Sequence, residues 1–163
     1  MNRLTRGAHR AYRGVVAALR HRRVVKSGSP PLYWQMLVGA IISGVSQIIA
    51  GAPESVNRSS GEAATVDYMF CGFQLAGALI SLASLYVEDG SARHAERLYW
   101  SLAFEGFGLI LLFTASAVYV GAVTVNNGHP PTSMATWYVI MFSIWSVRTR
   151  LPQIWRALQE LKS

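Results

Sequence analysis

Apolar residues in this chain come in blocks, not at the alternating or 3.6-residue spacing of a half-buried strand or helix. Four runs stand out, Leu32–Ala50, Tyr68–Val87, Leu98–Thr124 and Met134–Val147, with short polar stretches between them. Built as helix, each of the first three is long enough for the ~30 Å hydrocarbon core of a bilayer. The fourth covers only ~20 Å at helical rise. Its helix is therefore expected to continue through Arg148 and Arg150, whose long side chains can snorkel to headgroups. Aromatic residues mark the run ends: Tyr33 and Trp34, Tyr68 and Tyr86, Tyr99, Trp100 and Tyr119, Trp137, Tyr138 and Trp145. Such belts belong at membrane interfaces. The pattern predicts an all-α fold, a four-helix transmembrane bundle with spans of about 32–50, 68–87, 98–124 and 134–150.

Two further patterns flank this membrane domain of residues 32–150. In the arm 1–31, Leu4, Ala8, Ala11, Tyr12, Val15, Val16 and Leu19 share one helical arc, and Arg6, Arg10, Arg13 and Arg20 share the other. In the tail 151–163, Leu151, Ile154, Trp155, Leu158 and Leu161 share a face. Both read as amphipathic interfacial helices lying on the membrane surface. Ser27-Gly28-Ser29-Pro30-Pro31 is the hinge that follows the first of them.

Charge gives the threading. The chain of 163 residues carries 15 Lys and Arg against 8 Asp and Glu, a net charge of +7. Eight of the basic residues precede the first run, two lie between the second and third, and four follow the fourth. Arg58 alone falls on the other side. By the positive-inside rule both termini are expected in the cytoplasm, and the expected location is the inner, cytoplasmic membrane. The expected partners are an anionic inner leaflet and another membrane protein or further copies of the chain. Nucleic acid is not expected, because the basic residues sit beside apolar spans. Headgroup contact is assigned to Arg3, Arg6, Arg10, Arg13, Arg20, Arg22, Arg23, Lys26, Arg150 and Arg156. A signal peptide ending near Ala50-Gly51-Ala52 is disfavoured, since both the apolar run and the charged stretch before it are too long.

Within the spans, Glu105 is the acidic residue that stands out. An ionised carboxylate at that depth must be paired, hydrated or protonated. Depth along an antiparallel fourth span points to Arg148 as partner, giving a candidate intramembrane ion pair Glu105–Arg148. A pair that fixes packing is favoured over a proton or cation site, because no second acid or histidine accompanies Glu105 to make a relay. Small residues at four-residue spacing and around Glu105 predict close helix packing: Gly39, Ser43, Gly44, Gly72, Ala76, Gly77, Ser81, Gly106 and Gly108. Gln35, Gln47 and Gln74 are read as hydrogen bonds between helices, with a water-filled pore as the alternative.

No catalytic residues, metal ligands or cofactors are expected. His9, His21, His94 and His129 are scattered, and Cys71 lies in a span. No glycine-rich stretch fits a phosphate loop. The protein is therefore read as non-enzymatic. The recurrence of Leu32-Tyr33-Trp34 as Leu98-Tyr99-Trp100 is read as a repeated aromatic belt, not as a duplication.

In size, span number, arginine-rich composition and basic tail, the chain resembles small multispan membrane proteins of actinobacteria and their phages, including holin-like proteins. That resemblance implies self-association that alters membrane permeability and carries no residue roles across. Two other functions are consistent with the residues. One is a regulatory or exclusion protein acting on a membrane complex. The other is a small cation- or proton-coupled transporter or channel subunit.

Overall fold

A computed structural model describes residues 32–86 and 94–161 of the chain. The basic arm, with Arg3, Arg6, Arg10, Arg13, Arg20, Arg22, Arg23 and Lys26, lies outside the described residues. The described residues are mainly helical, with no strand among them: α1 (Tyr33–Ala50), α2 (Glu54–Ser59), α3 (Ala64–Ser84), α4 (His94–Asn127), α5 (Met134–Trp145), a π-helical turn (Ser146–Arg150) and α6 (Leu151–Glu160). Three of them, α1, α3 and α4, are long and apolar enough to cross a membrane.

Local chemistry sets the ends. After α1, Gly51 takes a positive φ of 98° while its N–H closes on the Gln47 carbonyl. Glycine reaches that conformation without a Cβ clash. Pro53 then opens α2, its carbonyl accepting from Val56 and Asn57 N–H. Ser133 caps α5 with its hydroxyl on the Thr136 N–H at 3.1 Å, satisfying a donor that the first helical turn leaves free.

The last three segments run on without a break from Met134 to Glu160. Proline at position 152 cannot donate a backbone bond, and its ring crowds the preceding helical turn. The helix widens there instead of stopping: Leu151 N–H bonds to the Ser146 carbonyl, five residues back. One π-helical turn of this kind is a common way for a helix to absorb such a residue.

Helix α3 packs between α1 and α4, and α4 also receives α2, α5 and α6. Two apolar clusters form the core. At one end Tyr33, Leu37, Ala78, Leu109, Leu112 and Ile154 come together. At the other, the short α2 inserts Val56 against Phe70, Cys71, Ala115 and Ala122. Asn126 near the end of α4 fastens α2 down, donating to the Ser55 carbonyl at 2.6 Å and to Ser59 Oγ at 2.9 Å. The outer faces of α1, α4 and α5 remain apolar, with Ile42, Ile49, Phe107, Trp137 and Met141 exposed. This is the surface expected where the surrounding solvent is hydrocarbon.

The tail differs from its expected place. Leu151, Ile154 and Leu158 do share a face, but they pack into the core beside α4. Trp155, expected on that face, is exposed. The tail helix is thus part of the bundle wall through its apolar side.

Candidate functional site

The centre of the structure is a buried carboxylate. Arg150, at the end of the π-helical turn, donates from Nε to Glu105 Oε1 at 2.7 Å and from a terminal nitrogen to Glu105 Oε2 at 2.9 Å. This is the two-pronged geometry that matches a guanidinium to a carboxylate. Tyr33, in the first turn of α1, donates its hydroxyl to Glu105 Oε1 at 3.1 Å. Glu105 and Arg150 are 2% and 1% exposed, so the charges are compensated by each other and not by water. Three helices distant in sequence are tied at one level.

The partner of Glu105 is therefore Arg150, not Arg148, and Arg148 is exposed. Both arginines lie at nearly the same depth, ~3 Å apart along the axis, but ~200° apart around it. Depth alone cannot choose between them; direction does. Arg150 continues the buried stripe of Thr136, Ser143 and Ser146 and leads on to Ile154. That stripe of small polar residues, at spacings of three, four and seven, is the sequence signal that points to Arg150. It also overturns headgroup contact for Arg150, which is inside the bundle. Arg156 is exposed.

Around the pair, α3 and α4 approach very closely. A Cβ added at Gly77 would lie 2.8 Å from the Gly108 carbonyl oxygen and 2.9 Å from the Leu112 nitrogen. One at Gly108 would collide with the Ser81 hydroxyl and the Gly77 carbonyl. Ser81 also donates to the Glu105 backbone carbonyl at 3.4 Å, and Ser101 to the Ser84 carbonyl at 2.6 Å. A Cβ at Gly44 would lie 3.1 Å from Leu75 Cβ, and one at Gly106 would lie 3.5 Å from Ile154 of α6. A Cβ at Gly39 or Gly72 would meet nothing within 4 Å, so neither marks a close helix approach within the bundle. Ala76 is half-buried, and Ser43 accepts a hydrogen bond from Gln47 Nε2 at 3.0 Å.

A cavity of about 380 Å³ occupies the half of the bundle toward α2, walled by α1, α3, α4 and α5. Its polar groups include Gln35, Ser43, Gln47, Gln74, Tyr119 and Thr136. Gln74 donates to the Ala40 carbonyl at 3.1 Å, joining α3 to α1 as expected of an interhelical amide. Gln47 binds only within its own helix, and its Oε1 is enclosed without a partner. No charged side chain lines the cavity among the described residues.

Phe142 forms the cavity wall nearest the ion pair. Its ring centroid lies 6.2 Å from that of Tyr33 and 5.9 Å from that of Trp145, and Tyr33 and Trp145 are 5.2 Å apart. Phe142 lines the cavity and Tyr33 bonds Glu105, so the ring cluster links the cavity wall to the ion pair. The resulting order is cavity, aromatic cluster, ion pair.

Among the described residues no group of three metal-ligating side chains comes together. His129 interacts with the neighbouring Pro130 carbonyl. Tyr33 and Tyr99, which the three-residue recurrence aligns, sit differently: Tyr33 bonds Glu105, and Tyr99 packs edge-on against Trp100. The chain matches no protein-family model, no curated protein and no solved structure.

Proposed function

We propose that this is a non-enzymatic four-span protein of the cytoplasmic membrane, with both termini inside, that acts as a small transporter or channel subunit. The fourth span is α5 together with the π-helical turn, seventeen residues or ~26 Å at helical rise. The observation that carries the reading is a cavity with a few polar groups in a mainly apolar wall, beside an aromatic cluster that adjoins the ion pair. With the threading expected from charge, the cavity faces outward, and Tyr33, Phe142 and Trp145 close it toward the cytoplasm. Glu105 holds Arg150 and Tyr33, so its role is to brace the closed end, and the coupled-cation role belongs to no free carboxylate in the cavity.

Cysteine accessibility tests this directly. In a Cys71→Ala background, Ser43→Cys should react with a membrane-impermeant maleimide from outside only. Adding Phe142→Ala should open a route from inside. A thiol at position 43 that reacts from neither side in either protein removes the transport reading.

A second reading, self-association of the holin-like kind, draws on Gly72 and Gly121, which are exposed and where an added Cβ would meet nothing within 4 Å. Open glycines let a neighbouring helix approach closely. It predicts that high expression collapses the membrane potential, and that Gly72→Leu prevents the collapse.

A further inference from the structure

We propose that the groove between α4 and the helix running from the π-helical turn into α6 holds an anionic phospholipid, with its phosphate on Arg156 and an acyl chain along the apolar walls. The proposal rests on the threading given above for its leaflet, and not on transport.

The groove has a volume of about 660 Å³ and shares no lining residue with the cavity toward α2. Phe107, Ile110, Val147 and Trp155 line it and are exposed, so it opens on the outer surface of the bundle. Gly106 and Ile154, both buried, lie at its base. The link 128–133 turns the chain back, so the two walls run in opposite directions. From Leu102 to Ile110 the α4 wall is ~12 Å long at helical rise, close to the ~15 Å of hydrocarbon in one leaflet. An apolar groove facing hydrocarbon takes up an acyl chain, because lipid is the solvent there.

Arg156 decides which lipid. It is the one charged side chain lining the groove, it is exposed, and it forms no ion pair among the described residues. It follows Arg150 by six residues, which places it ~9 Å from the Glu105 level toward the His94 end of α4. Helix α4 has 34 residues, ~51 Å at helical rise against a ~30 Å core, so that end reaches the headgroups. A guanidinium offers a planar fork that matches phosphate oxygens. Phosphatidylglycerol brings that phosphate with its charge uncompensated. Phosphatidylcholine adds a quaternary ammonium, which the guanidinium repels. Arg148 is the control: it is also exposed and unpaired among the described residues, but it does not line the groove.

Trp155 reports occupancy, because brominated acyl chains quench an indole they touch. The full chain is placed in phosphatidylcholine nanodiscs and titrated with brominated phosphatidylglycerol or brominated phosphatidylcholine. Subtracting the signal of Trp155→Phe isolates position 155. Wild type should prefer phosphatidylglycerol about fivefold, the ratio equivalent to about 1 kcal/mol for one basic residue near a lipid surface. Arg156→Gln should bring the ratio close to one, and Arg148→Gln should leave it unchanged. Ala103→Phe, which fills the groove and keeps Arg156, should also abolish the preference. Arg156→Gln alters only an exposed side chain, so its melting temperature should match wild type. Equal quenching by the two lipids in wild type overturns the proposal. So does a preference that survives Arg156→Gln, or one that falls equally in Arg148→Gln. A preference kept by Ala103→Phe at wild-type melting temperature overturns it too. Disulfide-linked dimers of Trp155→Cys in the Cys71→Ala background would assign the groove to a second copy and overturn it. Labelling of His129→Cys from outside and Ser163→Cys from inside, without a lipid preference, leaves the threading standing and removes this proposal. A lipid preference with both positions labelled from one side does the reverse.

Discussion

Arg150 holds Glu105 through two hydrogen bonds while both residues are almost completely shielded from solvent. The pair joins α4 to the end of the fourth helical stretch, and Tyr33 ties α1 to the same carboxylate oxygen. Buried pairs of this kind add little net stability compared with a well-packed apolar core. Removing one partner is costly because the other charge is stranded.

Glu105→Gln is accordingly expected to destabilise the bundle by about 3–5 kcal/mol, and Arg150→Met by a similar amount. The double variant should recover most of the loss. Arg148→Gln should be neutral. Melting curves in one detergent check all four. Equal effects of Arg148→Gln and Arg150→Met would contradict the pairing.

Tyr33→Phe keeps the ring against Phe142 and Trp145 and removes one hydrogen bond to a charged group. A loss of about 1.5–3 kcal/mol is expected, smaller than for Glu105→Gln. In a double-mutant cycle, Tyr33→Phe should cost much less once Glu105 is already Gln.

The glycines divide by what lies opposite. Gly77→Ala and Gly108→Ala drive a methyl group into backbone atoms of the facing helix, and each should cost about 1–3 kcal/mol. Gly72→Ala meets open space and should be neutral or stabilising by up to about 1 kcal/mol through helix propensity. Thermal unfolding of the three single variants separates the two groups.

The four-span threading predicts labelling sides. In a Cys71→Ala background, His129→Cys should react with an impermeant maleimide added outside, and Ser163→Cys only after the membrane is opened. Reaction of both from the same side of intact cells would mean an odd number of crossings.

Three spans are legible in the sequence because crossing hydrocarbon demands long uninterrupted apolar helix, and α1, α3 and α4 have that length and composition. The proposed fourth is less legible, since Met134–Val147 is short and is lengthened only by the continuous π-helical turn. Glu105 is legible as a residue that must be satisfied, because an acid between apolar neighbours has few alternatives. Small-residue spacing finds Gly77 and Ser81, and the neighbourhood of Glu105 finds Gly108, but spacing also returns Gly39 and Gly72, where an added Cβ meets nothing within 4 Å. Spacing tells which residues share a face and not what that face meets.

Thus the sequence by itself determined helical class, span lengths, a charge asymmetry and the need for a partner at Glu105. These follow from solvation, which acts on each residue through its own chemistry. Only the tertiary structure decided that the partner is Arg150, that Tyr33 joins it, and that three glutamines surround a cavity whose walls come from four helices. Those outcomes depend on rotation about the helix axis and on which helices are neighbours. Two residues at one depth can point in opposite directions, and only the packed bundle selects between them.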